Sequence, residues 1–290
     1  MKYSIDYNLD TVLSGSDNTD LDIIVDHITD KGDGRIALSS DACKKLTAAK
    51  NRGVYNHEEL ELISYELRTF GGNSFMNFFR GEGVSYKEVL TDVAEHLKIN
   101  FNKNNSCEKI ELEILLKVLE KAVENMSESE RRDVLESFGG KYTSMTGPAL
   151  TLALQTVIRS SGFAAYKLAA IIAQATAKAI LGRGLAYTTT APIMQGISIF
   201  SGPIGWVITG IWAAFDLASP AYRVTVPCVI QIAYMRQKLQ NKEKEKELND
   251  SLIISNENLV CNKCYSSYKK GSKFCPECGA PVGLLKLTKN

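Results

Sequence analysis

Between Gly184 and Phe215 the chain runs for 32 residues without an Asp, Glu, Lys or Arg. A stretch like this must be covered by other protein or placed in lipid, because apolar surface left in water is unfavourable in proportion to its area. It exceeds the roughly 18 residues that mark a candidate membrane span. Yet Thr188, Thr189, Thr190, Gln195, Ser198, Ser201 and Thr209 interrupt its apolar character, and Gly202-Pro203-Ile204-Gly205 falls near its middle. Proline lacks the N–H that a helix needs and clashes with the preceding turn, so GPIG predicts a kink or a turn. As a turn it leaves two arms of about 14 residues, about 21 Å each at the helical rise, short of the ~30 Å hydrocarbon core. As a kink it lets residues 191–215 cross once. The run therefore predicts one crossing, or a hairpin that lies shallow or stays buried.

Charge divides the chain around this centre. Residues 1–146 carry 18 basic and 26 acidic side chains, residues 147–240 carry 7 and 1, residues 241–258 carry 3 and 5, and residues 259–290 carry 6 and 1. A net charge of only +1 thus hides four parts: an acidic helical domain (1–146), a cationic apolar helical region (147–240), a charged helical linker (241–258) and a basic tail (259–290). Such asymmetry points to different partners for different parts. Arg159, Lys167, Lys178 and Arg183 precede the uncharged run, and Arg223, Arg236 and Lys238 follow it, a placement that suits anionic headgroups. Ala165, Ala169, Ala173 and Ala177 recur every four residues, as do Gly210, Ala214 and Ala218. Small residues at that spacing let helices approach closely in lipid, and a helix enclosed by others in a soluble bundle is equally apolar all round. The opening MKYSIDYNLD holds no apolar stretch, so the expectation is a cytoplasmic protein associated with the inner membrane.

Helical periodicity dominates the acidic part. Leu60, Ile63, Leu67 and Phe70 form one apolar stripe, Val89, Val93 and Leu97 a second, and Ile110, Ile114, Leu115, Val118, Leu119 and Ala122 a third. Gly71-Gly72 predicts a helix stop, and Ser85 with Glu88 and Ser127 with Glu130 predict capping-box starts. The fold class expected is mostly α: a multi-helix bundle with an apolar Gly/Ala-rich helical centre and a small C-terminal zinc ribbon.

The segment ELRTFGGNSFMNFFRGEGVSYKEVLTDVAEHLKI (66–99) resembles the signature of the YaaW-like family of bacterial proteins, related by label to ubiquinol–cytochrome c chaperones. SPAYRVTVPCVIQIAYMRQKL (219–239) resembles the carboxyl end of that family. The resemblance brackets most of residues 1–240 and implies no known catalytic residue; the cysteine tail lies beyond it. Glu66, Arg68, Asn73, Arg80, Glu82, Tyr86 and Asp92 supply polar groups around FGGN and RGEG, which read as turn chemistry, with Arg80 capping a helix end. RGEG lacks the GKS/GKT ending of a phosphate loop. His57 in HEELE lacks the second His of a zincin helix, and His27 and His96, among Asp and Glu, read as solvated or capped. Cys43, Cys107 and Cys228 read as small buried hydrophobes. No nucleophile–base constellation is legible, so the expectation is a non-enzymatic protein.

The strongest chemical pattern is Cys261-x2-Cys264-x10-Cys275-x2-Cys278. Paired CxxC knuckles bring four soft thiolates onto one ion, which suits tetrahedral Zn²⁺ in a reducing compartment. With four protein ligands no coordination position stays open, so the zinc is structural. Metal binding is then the source of folding free energy for so short a tail. Its six lysines and Tyr265, Tyr268 and Phe274 offer nucleic acid a surface, but a zinc tetrathiolate carries −2 and no Arg is present, so a protein-docking or oligomer-regulating role, including homo-oligomer formation, fits better. The sequence as a whole predicts reversible association with an anionic membrane surface or a membrane-protein client through the apolar centre. A soluble assembly chaperone with a buried apolar core and a nucleic-acid-binding module are the alternatives.

Overall fold

The computed structural model describes residues 4–70, 83–138, 146–185, 204–210, 221–261, 263–264, 266–269 and 272–282. In chain order its elements are α1 (Tyr7–Gly15), α2 (Asn18–Thr29), α3 (Ser40–Arg52), α4 (His57–Phe70), α5 (Tyr86–His96), α6 (Cys107–Glu124), α7 (Glu128–Ser137), α8 (Gly147–Ser160), α9 (Gly162–Leu181), α10 (Tyr222–Glu257), β1 (Asn258–Val260) and β2 (Ser267–Lys269). The fold is mostly α. Local chemistry sets the helix starts: Ser39, Ser85, Ser106 and Ser127 each accept a hydrogen bond from the backbone N–H three residues on. At Ser127 the Glu130 carboxylate returns the bond and closes a full capping box. Gly53 and Gly182 end α3 and α9 in the left-handed conformation that glycine adopts without strain. Gly71-Gly72 and Gly202-Pro203 lie outside the described residues.

Two compact units make up the chain, residues 1–239 and 240–290. In the first, helices drawn from 1–146 and from 147–239 share one core. Ile63 and Leu67 of α4, Val89 and Val93 of α5, and Ile110, Ile114 and Leu119 of α6 are buried in it. So are Ala165, Ala169, Ala173 and Ala177 of α9. The smooth alanine strip lets α9 lie close to α8, α6 and α2. By length and composition α9 can cross a membrane, and two thirds of its apolar window (67%) is buried inside the protein.

The first part of α10 is enclosed on every side. Val224, Val226, Val229, Ile230, Ile232, Ala233, Tyr234 and Met235 are all buried, around Gln231, Gln237 and Lys238, which are buried too. Its neighbours are identified by specific bonds: Gln231 Nε2 donates to Asp20 O on α2 at 3.3 Å, Arg236 donates to Asn8 O on α1 at 2.7 Å, and the Tyr234 ring stacks on Tyr166 of α9 at 6.1 Å. Residues 204–210 are helical, with Ile204, Val207 and Ile208 buried and Trp206 80% exposed. The rest of the uncharged run, apart from Gly184 and Leu185, lies outside the described residues.

The cations of residues 147–240 have a different fate from the one their sequence positions suggest. Four of them meet carboxylates of the acidic part: Arg159 with Glu113 at 2.6 Å, Arg183 with Asp26, Arg236 with Glu111 at 2.8 Å, and Lys238 with Asp20 at 2.5 Å and Asp17 at 2.7 Å. Lys167 donates to Ser137 O at the end of α7 and lies over the Phe138 ring. The segregation of charge along the chain is thus complementarity within one fold. Arg236 and Lys238 are largely buried and supply the partners that the buried Glu111 and Asp20 require, while Arg159 and Arg183 stay nearly half exposed.

Candidate metal centre

The tail builds its site from two matching knuckles. Cys261 N–H donates to Ser266 O at 2.9 Å, and Cys275 N–H donates to Ala280 O at 2.8 Å, so each CxxC closes the same loop. Gly279 holds φ +65, the left-handed value the second loop needs and a side chain would strain. β1 and β2 pair antiparallel, Leu259 opposite Tyr268, and a bridge between Phe274 and Pro281 frames the second knuckle. The four sulfurs lie within 4.8 Å of one another. Cys261 Sγ is 3.7 Å from Cys278 Sγ, and Cys264 Sγ is 3.5 Å from Cys275 Sγ. A tetrahedron with metal–sulfur bonds of about 2.3 Å has edges of about 3.8 Å, close to these two separations, so the four thiols could hold a metal ion.

Electrostatics favour a cation at the centre. The Lys263 N–H points at Cys261 Sγ from 3.4 Å and, with that of Cys264, lowers the Cys261 thiol below its ordinary value. Ser266, 3.2 Å from Cys264 Sγ, brings Cys264 down to about 6. At Cys278 the Ala280 N–H acts in the same lowering direction, but the neighbouring sulfurs of Cys264, Cys261 and Cys275 outweigh it and push the thiol up to about 12. Four thiols this close cannot all ionise by themselves; a central cation removes that conflict.

Elsewhere the polar residues singled out by sequence separate into distinct roles. Arg68 is buried and gives its N–H groups to Ser4 O at 2.7 Å, to Ser4 Oγ and to Ser64 O. Gly83 passes so close to this residue that a Cβ there would sit 2.8 Å from Arg68 Cβ, which explains a glycine after RGE. Tyr86 Oη donates to Glu111 at 2.8 Å, while Asp6 accepts from Tyr86 N–H at 2.7 Å. Burial, with Glu111 beside it, drives the Tyr86 phenol well above its usual range. Asn73, Arg80 and Glu82 lie outside the described residues. His57 is exposed beside Glu61 at 3.5 Å, and His96 stacks on Tyr222 at 3.9 Å.

His27 departs from expectation. It is 1% exposed and neither solvated nor capping, because α2 is covered around almost its whole circumference and takes its polar residues inward. Burial lowers its imidazole to about 3, with Arg35 and Arg183 pressing the same way and Asp26 opposing. Cys43, Cys107 and Cys228 are buried, as their isolation in the sequence indicates. The reading by sequence missed the inward carboxylates Asp20, Asp26 and Glu111, each about 2% exposed or less. Their signal was present only as the opposite charge of the two halves.

Comparison with known proteins places these features. The family model described as ubiquinol-cytochrome C chaperone matches residues 60–230. A UPF0174 protein of Helicobacter pylori (strain J99) is 41% identical over 208 residues, covering 70% of this chain and 82% of the relative. A second UPF0174 protein of that strain is 37% identical over 205 residues, 68% of this chain and 98% of the relative. The UPF0174 protein YaaW of Escherichia coli (strain K12) is 30% identical over 180 residues, 61% of this chain and 70% of the relative. No solved structure matches. The cysteine site lies beyond the matched 60–230, whereas Glu66, Arg68, Glu111 and Arg183 fall inside it, and the chain belongs to the ubiquinol-cytochrome C chaperone family.

Proposed function

We propose that the helical unit is a non-catalytic, chaperone-like protein that engages a membrane-protein client, or the anionic membrane surface around it, through its 147–215 part. One observation carries this reading. Leu152, Phe163 and Trp206 leave large apolar side chains exposed by 66%, 53% and 80%, all within the stretch that the chaperone-described family model covers. Large apolar side chains left exposed in this part of the chain suit transient contact with greasy surface. The tail, outside the matched stretch, is a zinc ribbon in this proposal: Cys261, Cys264, Cys275 and Cys278 fill all four positions of a structural Zn²⁺, and the module they staple recognises protein.

Untagged protein and the variant Trp206→Glu are fractionated with carbonate extraction and floated on vesicles containing anionic lipid. The native protein is expected with the membrane fraction, released by carbonate and accompanied by a membrane protein. Trp206→Glu, at an exposed position, is expected to keep its helical circular-dichroism signal and lose that attachment. Full recovery of native protein in the soluble fraction, with no flotation and no membrane protein carried along, overturns the proposal.

A further inference from the structure

A cleft of about 490 Å³ opens between the start of α3 and the outer face of α4. Ala37, Ala42 and Leu62 supply its apolar walls, and Glu66 and Asp41 its carboxylates. Glu66 is the unusual member. Its residue is 8% exposed, yet among the described residues no hydrogen bond or ion pair reaches its carboxylate, in contrast to Glu59, Glu111, Asp20 and Asp26, which all have cationic partners. Arg68, two residues on, spends its donors on Ser4 and Ser64. Lys45 also borders the cleft, but its ammonium is held by Glu58 at 3.2 Å. Partial burial disfavours the charged form of a carboxylate, and it pushes this one up to about 7.

We infer that this cleft receives a lysine or arginine side chain of a client polypeptide, with Glu66 pairing the charged head and Ala37, Ala42 and Leu62 covering the aliphatic stem. Long cationic side chains carry both parts on one chain, an apolar stem and a charged tip. A metal ion fits less well, because hard cations require several oxygen ligands, and among the described residues the four tail cysteines are the group whose ligand atoms converge. Membrane proteins carry an excess of Lys and Arg beside their cytoplasmic helix ends. The inference therefore rests on the proposed client for the source of the cation, and on the cleft alone for its chemistry.

Full-length protein is titrated with n-butylammonium and n-butylguanidinium, the side-chain analogues, and with n-butanol as the neutral control, following backbone amides by NMR. Saturable shifts at Tyr65, Glu66 and Thr69 are expected with both cations and not with butanol. Glu66→Gln is expected to weaken cation binding by about tenfold or more, the scale on which loss of a charge-assisted contact is read. Absence of saturable shifts, equal binding by Glu66→Gln, or equal binding of butanol overturns the inference. Thermal melting guards against misfolding: removing an unpartnered buried charge should leave or raise the melting temperature, and a marked fall shows that Glu66 has a structural partner and sinks the idea. In client capture, reduced yield with Glu66→Gln supports the assignment, and unchanged yield overturns it while leaving the chaperone-like reading standing. Probe binding with no client captured by native protein retains the cation receptor and overturns only the client.

Discussion

His27 and Glu66 are buried groups whose protonation pulls stability in opposite directions. His27 falls from the ordinary 6.5 to about 3 on folding, because burial disfavours imidazolium. As pH drops below about 6.5 the unfolded chain takes up the proton first, so stability is lost at up to about 1.4 kcal/mol per pH unit until the folded value is reached. Glu66 rises from the ordinary 4.5 to about 7, again through burial. Here the folded state keeps its proton longer, so this contribution is complete below about 4.5 and is lost as pH climbs to about 7. Between 4.5 and 6.5 the two slopes oppose and largely cancel. His27→Gln should leave stability falling with pH across that window, and Glu66→Gln should leave it rising. Urea melts at several pH values test this, and curves parallel to the native one for both variants would show that neither group titrates as its burial requires. Neither group was legible beforehand. A histidine flanked by Asp26 and Asp30 looks solvated, and its burial follows from helices far along the chain. Asp26 alone is held by Lys50 and Arg183, which stand 24 and 157 residues away.

At the scale of elements, legibility followed periodicity. The stripes of α4, α5 and α6, the caps at Ser85 and Ser127, and the Ala165–Ala177 strip could be read because each is a local pattern answered by one packing face. α9 and α10 defeat that logic. A helix apolar on all sides gives the same sequence whether protein or lipid surrounds it, so α9 passes the test of a membrane span while lying mostly inside the core. What distinguishes the two surroundings is the fate of the charges. Lys238 is 5% exposed at its side chain and bonds Asp20, itself 2% exposed. Burial works against its charge, and Asp20 and Asp17 more than offset that, so its ammonium is held above the ordinary value. Breaking such a pair from one side leaves a buried charge alone, a loss of about 3–5 kcal/mol. Lys238→Met should therefore cost that much. Combining it with Asp20→Asn should cost less than the two single changes together, since the second removes the charge the first strands. Chemical melts of the three variants check the coupling; strict additivity, or single losses below about 1 kcal/mol, would assign the pair a surface-like role.

Viewed as a whole molecule, the chain puts its thiols into two chemical classes that belong to its two units. Cys43, Cys107 and Cys228 sit within residues 1–239, all buried. Burial raises the Cys107 thiol to about 11 and lifts Cys228 further, so both stay protonated and hidden at neutral pH. Cys261, Cys264, Cys275 and Cys278 sit together within residues 240–290, a short module whose four thiols could hold one metal ion; in a module with so little core, a bound metal would supply much of the folding free energy. The four-cysteine spacing made this division legible at once, because knuckle geometry is local, whereas the helical unit had to be seen folded before its opposite charges could be matched. A strong chelator should then act on one unit only. Loaded protein is expected to react slowly with a thiol reagent. After chelation the four tail thiols should react promptly while Cys43, Cys107 and Cys228 stay silent until denaturant is added. The thermal transition of residues 1–239, followed by helical circular dichroism, should stay where it was, because the paired charges and shared core that hold it include none of those four cysteines. If chelation instead exposes all seven thiols, or lowers the helical transition, the metal stabilises the helical unit as well and the tail is more than a self-contained staple.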